Sequence, residues 1–238
     1  MNIRAVRTTV FKEGEDLVLF LSDHMPRLKD DSIVVVASKV VALAEGRVAM
    51  AKTKKEFGKL VRSESEWIQK TKLGNLALKD GILMWNAGID SSNADGKLVL
   101  LPKDSYAAAD TLRKTLKKHY KIKNLGIILS DSRVMPLRAG VVGIALGYAG
   151  FKGTRDYRGK KDMFGKKLKY TQTDIADALA TAAIIEMGEG NEQKPFCVIE
   201  DASVEFCERV KRNEMLVAPE DDMYRPLFKL PKKRKRSR

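Results

Sequence analysis

Short apolar runs rich in β-branched residues predict buried strands at four places in the chain. The runs cover residues 32–37, 98–101, 125–129 and 196–199. Asp30 and Asp31 form a turn before the first run, and Pro102 ends the second. Runs of this length and composition, bordered by turn residues, are typical of strands inside a sheet.

Apolar residues at helical spacing predict five helices between and after these strands. The helices are predicted at 15–28, 54–73, 105–120, 171–187 and 202–215. Pro26 ends the first helix, while Thr171 and Asp174 resemble a capping box at the start of the fourth. Gly188 supplies a stop signal for that fourth helix. Because helices and strands mix without strict alternation, we predict a mixed α/β or α+β core.

The composition is typical of a soluble protein with a buried core. It has 238 residues, of which 44% are hydrophobic and 32% charged. No apolar run approaches the ~20 residues that a membrane helix needs, and the first ten residues lack the apolar centre of a signal peptide. We therefore expect a cytoplasmic protein without a membrane partner. Cys197 and Cys207 lack zinc-site spacing, so any metal should be a hard cation with oxygen ligands.

The formal net charge of +14 favours polyanionic partners. Six of these charges lie in the C-terminal tail, namely Lys232, Lys233, Arg234, Lys235, Arg236 and Arg238. Without them the net charge is still +8. The tail has two readings, a disordered solvated end or a weak, salt-sensitive contact with nucleic acid. The domain boundary is expected at 215, with residues 1–215 forming one domain and 216–238 an extension.

Two acidic segments suit a metal and phosphate site. Residues 86–93, with the sequence NAGIDSSN, place Asp90 after a glycine turn, and Asp131 directly follows the predicted strand 125–129. Functional groups in open sheets gather outside the carboxyl ends of the strands, where carboxylates often hold Mg²⁺. A polar surface turn at 86–93 and a cap at 130–132 remain the structural alternatives.

Three further segments combine charge with glycine. Arg138 lies among closely spaced glycines at 140–153, where the glycines permit either close backbone packing or a tight bend. Asp156 and Arg158 lie in a charged loop, DYRG. Ser38 and Lys39 follow the strand 32–37, where a lysine can hold phosphate. Neither GxGxxG nor GxxxxGK[ST] is present, so the Rossmann and P-loop readings fail on spacing.

In this order the segments resemble the coenzyme F(420)-0:γ-glutamyl ligase family, across roughly residues 10–200. The family's NAGIDxSN stands at 86–93, ISDTxGRPxRxG at 129–140, AIG-x-AG at 145–150, DYRG-x-x-D-x-x-G at 156–165, and T-x-x-x-IAD with a following MG at 171–188. The resemblance implies a two-lobed α+β fold and a homodimer. It also implies a GTP-dependent ligase that joins L-glutamate to F(420)-0 through an acyl phosphate.

The resemblance assigns roles by matched position. Asp90 and Asp131 match ligands of one divalent metal, Mg²⁺ or Mn²⁺, and Ser132 and Glu189 lie near a second; K⁺ is a further candidate ion. The nucleotide contacts implied are Ser38, Lys39, Asn93, Met187, Gly188, Glu189 and Gly190. The catalytic candidates are Arg138, Asp156 and Arg158.

The chain also departs from the family pattern. Leu43 replaces a lysine of the family, Ala42 a serine, and Ala178 the glutamate after IAD. The metal carboxylates are kept while their surroundings differ, which implies a retained reaction with a changed acceptor or nucleotide. Two alternatives therefore stay open: γ-glutamate ligation to a folate, and a nucleotide- or RNA-binding protein without ligase turnover.

Overall fold

The computed structural model describes residues 1–227 and builds them into strands and helices of mixed order. In chain order these are β1 (Asn2–Val6), α1 (Leu17–His24), β2 (Ser32–Ala37), α2 (Ser38–Ala44), β3 (Val48–Ala49), α3 (Lys54–Ser63), β4 (Trp67–Lys70), β5 (Asn75–Lys79), β6 (Ile82–Trp85), β7 (Leu98–Val99), α4 (Ser105–Tyr120), β8 (Leu125–Val134), β9 (Val141–Ala149), β10 (Thr154–Asp156), β11 (Gln172–Asp174), α5 (Ile175–Met187) and β12 (Phe196–Glu200). The predicted basic tail lies outside the described residues.

A five-stranded sheet in the order β1-β12-β2-β8-β9 forms the centre of the larger lobe. Only β2 and β8 pair in parallel among these neighbours. Both strands are apolar on each face because helices cover both sides. Val34 and Val36 pack with α1, α2 and α4, whereas Ile33 and Val35 point the other way and pack with α5. The sheet is therefore a buried layer between helices.

The smaller lobe is a second sheet with one helix packed on it. Strands β4, β5 and β6 form an antiparallel meander, and α3 packs Val61 against Ala77 in its apolar core. The predicted α+β class with two lobes is thus confirmed. Within residues 1–227, no helix is both long and apolar enough to cross a bilayer.

Most of the predicted elements near the cleft are confirmed. Strand 32–37 and helix 105–120 have the predicted bounds, and strand 196–199 gains one residue. The first helix is shorter than predicted, and strand 98–101 ends at Val99. Helix 171–187 was wrong at its start. The chain up to Asp174 pairs with β10, and the Asp174 carboxylate caps α5 by accepting the Asp177 N–H at 3.0 Å.

The predicted helix at 54–73 is wrong in its second half. Helix α3 ends at Ser63, and the Ser65 hydroxyl donates to the Val61 carbonyl at 2.5 Å. Residues 67–70 instead form β4, where Ile68 stands opposite Ala77 of β5 and packs in the core of the smaller lobe. Long-range pairing therefore overrides the charged, helix-forming composition of this segment.

The predicted helix at 202–215 is wrong throughout, since residues 202–215 form no helix. Val204 and Phe206 pack in the apolar core between α5 and the face of the large sheet that carries Ile33 and Val35. The Glu214 carboxylate accepts hydrogen bonds from the Tyr148 hydroxyl at 2.5 Å and the Gly153 N–H at 2.7 Å. These tertiary contacts hold the segment in an irregular path. Residues 216–227 continue as turns and a short 3₁₀ turn, and the domain boundary at 215 stays a prediction.

The glycine-rich segment after Arg138 is mostly the strand β9, which the sequence did not predict. A Cβ on Gly143 would overlap the backbone of Ala180 in α5, and one on Gly147 would overlap the backbone of Ser105 in α4. Of the two readings for these glycines, close backbone packing is the one that the structure supports at both positions.

Adding a methyl group at either contact should therefore destabilise the fold. We expect Gly143→Ala or Gly147→Ala to lower the free energy of unfolding by about 1–3 kcal/mol, since the helix backbone must shift. Gly58→Ala is the matched control, because a Cβ there meets no atom within 4 Å. It should raise stability by about 0.5–1 kcal/mol, as alanine favours a helix interior. Urea denaturation measures the free energy of unfolding of all three variants. If Gly143→Ala and Gly147→Ala were as stable as the parent protein, the packing argument would be contradicted.

Candidate active site

A cleft of about 810 Å³ opens at the edge of the large sheet, beside the carboxyl end of β2 and residues 130–132 of β8. Ala37, the last residue of β2, pairs with Ser130 inside β8, so Ser38 and Asp131 start from neighbouring positions. The cleft is lined by residues 8–13, 37–40, 43, 90, 92–95, 97, 130–132, 184 and 187–195. The carboxyl edge of the parallel pair thus holds three of the segments that the sequence singled out, at 38–39, 90–93 and 130–132.

Asp90 reaches the cleft from a turn of unusual backbone conformation. Asn86, Ala87 and Gly88 all have positive φ angles, of 48°, 58° and 71°. Ala87 is buried, and the side-chain oxygen of Asn86 accepts the Asn75 N–H at 3.0 Å, which ties the turn to β5. Non-glycine residues rarely adopt this conformation, and it occurs more often at functional sites than elsewhere.

Lys39 forms an ion pair with Asp90 inside the cleft. Its ammonium lies 2.6 Å from Asp90 Oδ2 and donates to the Ser92 carbonyl at 2.7 Å. The Ser92 N–H also donates to Asp90 Oδ1 at 2.7 Å. Burial alone would raise the pKa of Asp90, but the hydrogen bonds from Lys39 and Ser92 lower it below its usual range. Asp90 is therefore ionised and positioned, with a cation beside it.

Asp131 lies inside a strand, which corrects the prediction that it follows one. Strand β8 continues to Val134 after a register shift between Leu129 and Ser130. Burial raises the pKa of Asp131 to about 6, and the charges of Asp90 and Glu189 add to this effect. The Ser132 N–H and Lys39 act in the opposite direction. Asp131 is therefore subject to the negative charge of both Asp90 and Glu189.

The side chains present fit a hard divalent cation. Asp90, Asp131 and Glu189 offer carboxylate oxygens and Ser132 a hydroxyl, and all four line the cleft. A cation would relieve the mutual repulsion that contributes to the raised pKa of Asp131. Within residues 1–227 no three His, Cys, Asp or Glu side chains are grouped closely enough to hold a metal ion between them. The metal ligands therefore stay a prediction that the donor chemistry supports.

The residues predicted to contact the nucleotide are brought together in this cleft. Ser38, Lys39, Asn93, Met187, Gly188, Glu189 and Gly190 all line it. Ser38 and Lys39 begin α2, and Gly188 caps the end of α5 with a φ of 80°. The side-chain amide of Asn93 donates to the Gly190 carbonyl at 3.0 Å, so two of the segments touch.

The predicted catalytic residues lie elsewhere in this chain. Arg138 is exposed in the turn between β8 and β9, while Asp156 ends β10 and Arg158 lies in the turn that follows. The Arg158 guanidinium contacts the Asp156 carboxylate at 2.7–3.0 Å. Hydrogen bonds from Arg158 hold the pKa of Asp156 at about 2. None of the three lines the cleft, and their catalytic roles stay predictions.

Glu13 and Lys97 also line the cleft, and the sequence did not single them out. Their segments are irregular and far apart in the chain, so no periodic pattern marks them.

Asp177, a residue of the IAD motif, supports the site through a hydrogen bond to β9. Its carboxylate accepts the Ala145 N–H at 2.8 Å, next to the bulge that precedes Asp131.

Comparison with known proteins agrees with the motif resemblance. The family model described as F420-0:Gamma-glutamyl ligase matches residues 5–201. A protein of Methanococcus maripaludis named Coenzyme F420:L-glutamate ligase is 35% identical over 94% of this chain and 97% of its own length. Proteins of the same name from Methanocaldococcus jannaschii and Archaeoglobus fulgidus are each 32% identical, over 91% and 82% of this chain and 93% and 85% of their own lengths. This chain therefore belongs to the F420-0:Gamma-glutamyl ligase family.

The position of Asp177 generates a pH-dependent prediction. Burial and the nearby Asp174 raise the pKa of Asp177 above its ordinary value of 3.8. The folded protein thus keeps a proton that the unfolded chain releases, so the contribution of this carboxyl to stability is full below about pH 4 and lost as the pH rises through the raised pKa.

Asp177→Asn keeps an acceptor for Ala145 but removes this titration. We expect its stability relative to the parent protein to improve by about 1–2 kcal/mol between pH 4 and pH 7, a range that allows for solvent screening. Asp110→Asn, on the surface of α4, controls for the loss of one negative charge. Urea denaturation at several pH values measures the difference; an Asp177→Asn difference that does not vary with pH would contradict the assignment.

Proposed function

We propose that this protein forms the amide bond between L-glutamate and coenzyme F(420)-0, driven by GTP through an acyl phosphate. The observation that best supports this proposal is that Asp90, Asp131, Glu189 and Lys39 line one cleft. That cleft occurs in a member of a family whose relatives bear the name Coenzyme F420:L-glutamate ligase. The acidic groups, the lysine and the size of the cleft support a metal-bound nucleotide as co-substrate.

In this reaction a carboxylate oxygen of the acceptor attacks the γ-phosphorus of GTP, and GDP leaves. The amino group of glutamate then attacks the acyl carbon, loses a proton, and releases inorganic phosphate. A bound Mg²⁺ or Mn²⁺ would supply neutralisation of the phosphate charge. Asp90 and Asp131 would hold the first ion, and Ser132 and Glu189 a second; K⁺ is a further candidate.

The other cleft residues would bind and shield the reactants. Lys39, now paired with Asp90, would offer a point charge to a phosphate of the nucleotide. Ser38, Asn93 and the backbone of residues 187–190 supply hydrogen-bonding groups along the same wall. The surrounding loops reduce access of water, which would otherwise hydrolyse the acyl phosphate. Arg138, Asp156 and Arg158 stay candidates for catalytic groups.

Two acceptor molecules are compatible with the proposal, F(420)-0 and a folate. The names of the relatives favour F(420)-0, whereas the change to Leu43 at a position where the family has lysine favours an altered ligand such as a folate. Leu43 packs its side chain against the apolar core beside the cleft. Incubation with glutamate, GTP, Mn²⁺ and each acceptor, read by mass spectrometry, decides between them by a gain of one glutamyl unit.

Apolar side chains at two hairpin ends support a homodimer. The turn between β8 and β9 exposes Leu137 fully, and the segment between β10 and β11 exposes Met163, Phe164 and Tyr170 by about nine tenths. Exposed large apolar side chains can mark interaction sites. A cytoplasmic location is proposed as well, since both cysteines are free thiols and a reducing compartment keeps them so.

The dimer proposal predicts a change of mass in solution. Leu137→Glu or Phe164→Glu should weaken association at least tenfold, because a charge would be buried at an apolar contact. Leu73→Glu, at an equally exposed leucine in the turn between β4 and β5, is the control and should leave association unchanged. Light scattering after size-exclusion chromatography reports the mass. A dimer that survives both hairpin variants would place the interface elsewhere.

The metal-site proposal predicts loss of turnover without loss of fold. Asp90→Asn and Asp131→Asn should each reduce glutamate-dependent phosphate release from GTP at least a hundredfold, because each removes a charged metal ligand. Asp110→Asn, outside the cleft, should keep full activity. Normal turnover in both cleft variants would show that these carboxylates do not hold the metal. Nucleotide binding without phosphate release by the parent protein would instead favour the binding-only alternative.

A further inference from the structure

Three irregular segments surround the mouth of the cleft. They are the N-terminal segment (residues 7–14), the 90–99 loop and the 188–195 loop, and residues of each line the cleft. Each of the three contacts the next through one bond, so that together they form a closed ring around the opening. Because irregular segments have few internal bonds, the contacts between them decide how open the mouth is.

One bond of the ring is between backbones and two involve side chains. The Thr8 N–H donates to the Gln193 carbonyl at 2.9 Å, which joins the N-terminal segment to the 188–195 loop. Asn93 joins the 188–195 loop to the 90–99 loop through its bond to the Gly190 carbonyl. The ion pair between Lys97 and Glu13 completes the ring by joining the 90–99 loop to the N-terminal segment.

The 90–99 loop is the central member because it is fixed at its base and reaches both neighbours. Asp90 and Val99 exchange backbone hydrogen bonds at 3.0 and 2.8 Å, which close the loop. Asn93 and Lys97 then extend from it to opposite sides. The N-terminal segment has its own anchor, since the Gly14 N–H donates to the Leu43 carbonyl at 3.2 Å.

The ion pair also controls charge at the mouth. Lys97 and Glu13 are both partly exposed, with 45% and 36% of their side chains accessible. An unpaired Glu13 would repel an incoming polyphosphate, whereas the pair presents no net charge. Exposed pairs of this kind contribute at most ~1 kcal/mol, or about a fivefold change in an equilibrium. The expected effects are therefore modest but measurable.

We propose that Glu13 and Lys97 are positioning residues, whose ion pair holds the N-terminal segment against the 90–99 loop and thereby strengthens binding of the nucleotide. The proposal rests on the proposed function for the identity of the ligand, and on the ring alone for the closure. The pair acts through the two segments that it joins and touches no reacting atom.

A charge swap tests the pair. The proteins compared are the parent, Glu13→Lys, Lys97→Glu, and the double variant carrying both changes. Hydrogen–deuterium exchange is measured on residues 7–14 and 90–99 without ligand, and KM for GTP and kcat are measured in the ligase assay. Lys114→Glu, which breaks the exposed pair with Asp110 on α4, is the matched control. Thermal melting establishes that each variant is folded.

Each single variant should raise exchange in both segments. Lys97→Glu should also raise KM for GTP about two- to fivefold, whereas the added positive charge of Glu13→Lys should offset part of this rise, with a smaller effect on kcat in both. The double variant should restore both readouts, and Lys114→Glu should change neither. Failure of the swap to restore exchange or KM would overturn the proposal. So would a rise in exchange confined to Lys97→Glu, since it would show that Glu13 does not hold the two segments together. If the parent protein has no GTP turnover, the proposed function fails, while exchange still tests the closure.

Discussion

The parallel pairing of β2 with β8 determines which side chains can meet in the cleft. The pair of Ala37 with Ser130 fixes the register, so the residues that follow, Ser38 and Asp131, start at the same edge of the sheet, and Lys39 comes one position later. The helices on both faces keep these strands buried and their register fixed, because a slip would move apolar side chains out of two cores at once. The remaining parts of the cleft are loops placed around this edge.

Electrostatic balance explains why the cleft is built from opposite charges. Burial raises the cost of ionising Asp131, and the negative charges of Asp90 and Glu189 add to that cost. Lys39 offsets part of this cost at Asp90 in the protein alone. A divalent cation would offset more of it and leave Lys39 available for an anionic ligand. The same cluster is thus strained without a cation and suited to a metal-bound polyphosphate.

The sequence could predict the parts of this structure that depend on local pattern. Strand 32–37, helix 105–120 and the polar segments at their ends follow from apolar spacing and turn chemistry. The motif order added what spacing lacked, and identified Asp90 and Asp131 as neighbours although they are far apart in the chain. The structure places both on one cleft, while the role of each as a ligand remains a proposal.

Long-range contacts account for what the sequence could not predict. Residues 202–215 have helical spacing, but Glu214 is held by Tyr148 and Gly153. Strand β9 was not predicted because of its glycines, which are required where the backbones of two helices pack closely against the strand. Glu13 meets Lys97 only because three loops converge. In each case the deciding partner lies dozens of positions away.

The most direct test of the central claim is the position of Mn²⁺ in crystals grown with a GTP analogue, located by anomalous diffraction. The account predicts an anomalous peak within coordination distance of the carboxylates of both Asp90 and Asp131. A peak outside the cleft, or one that touches neither carboxylate, would contradict it.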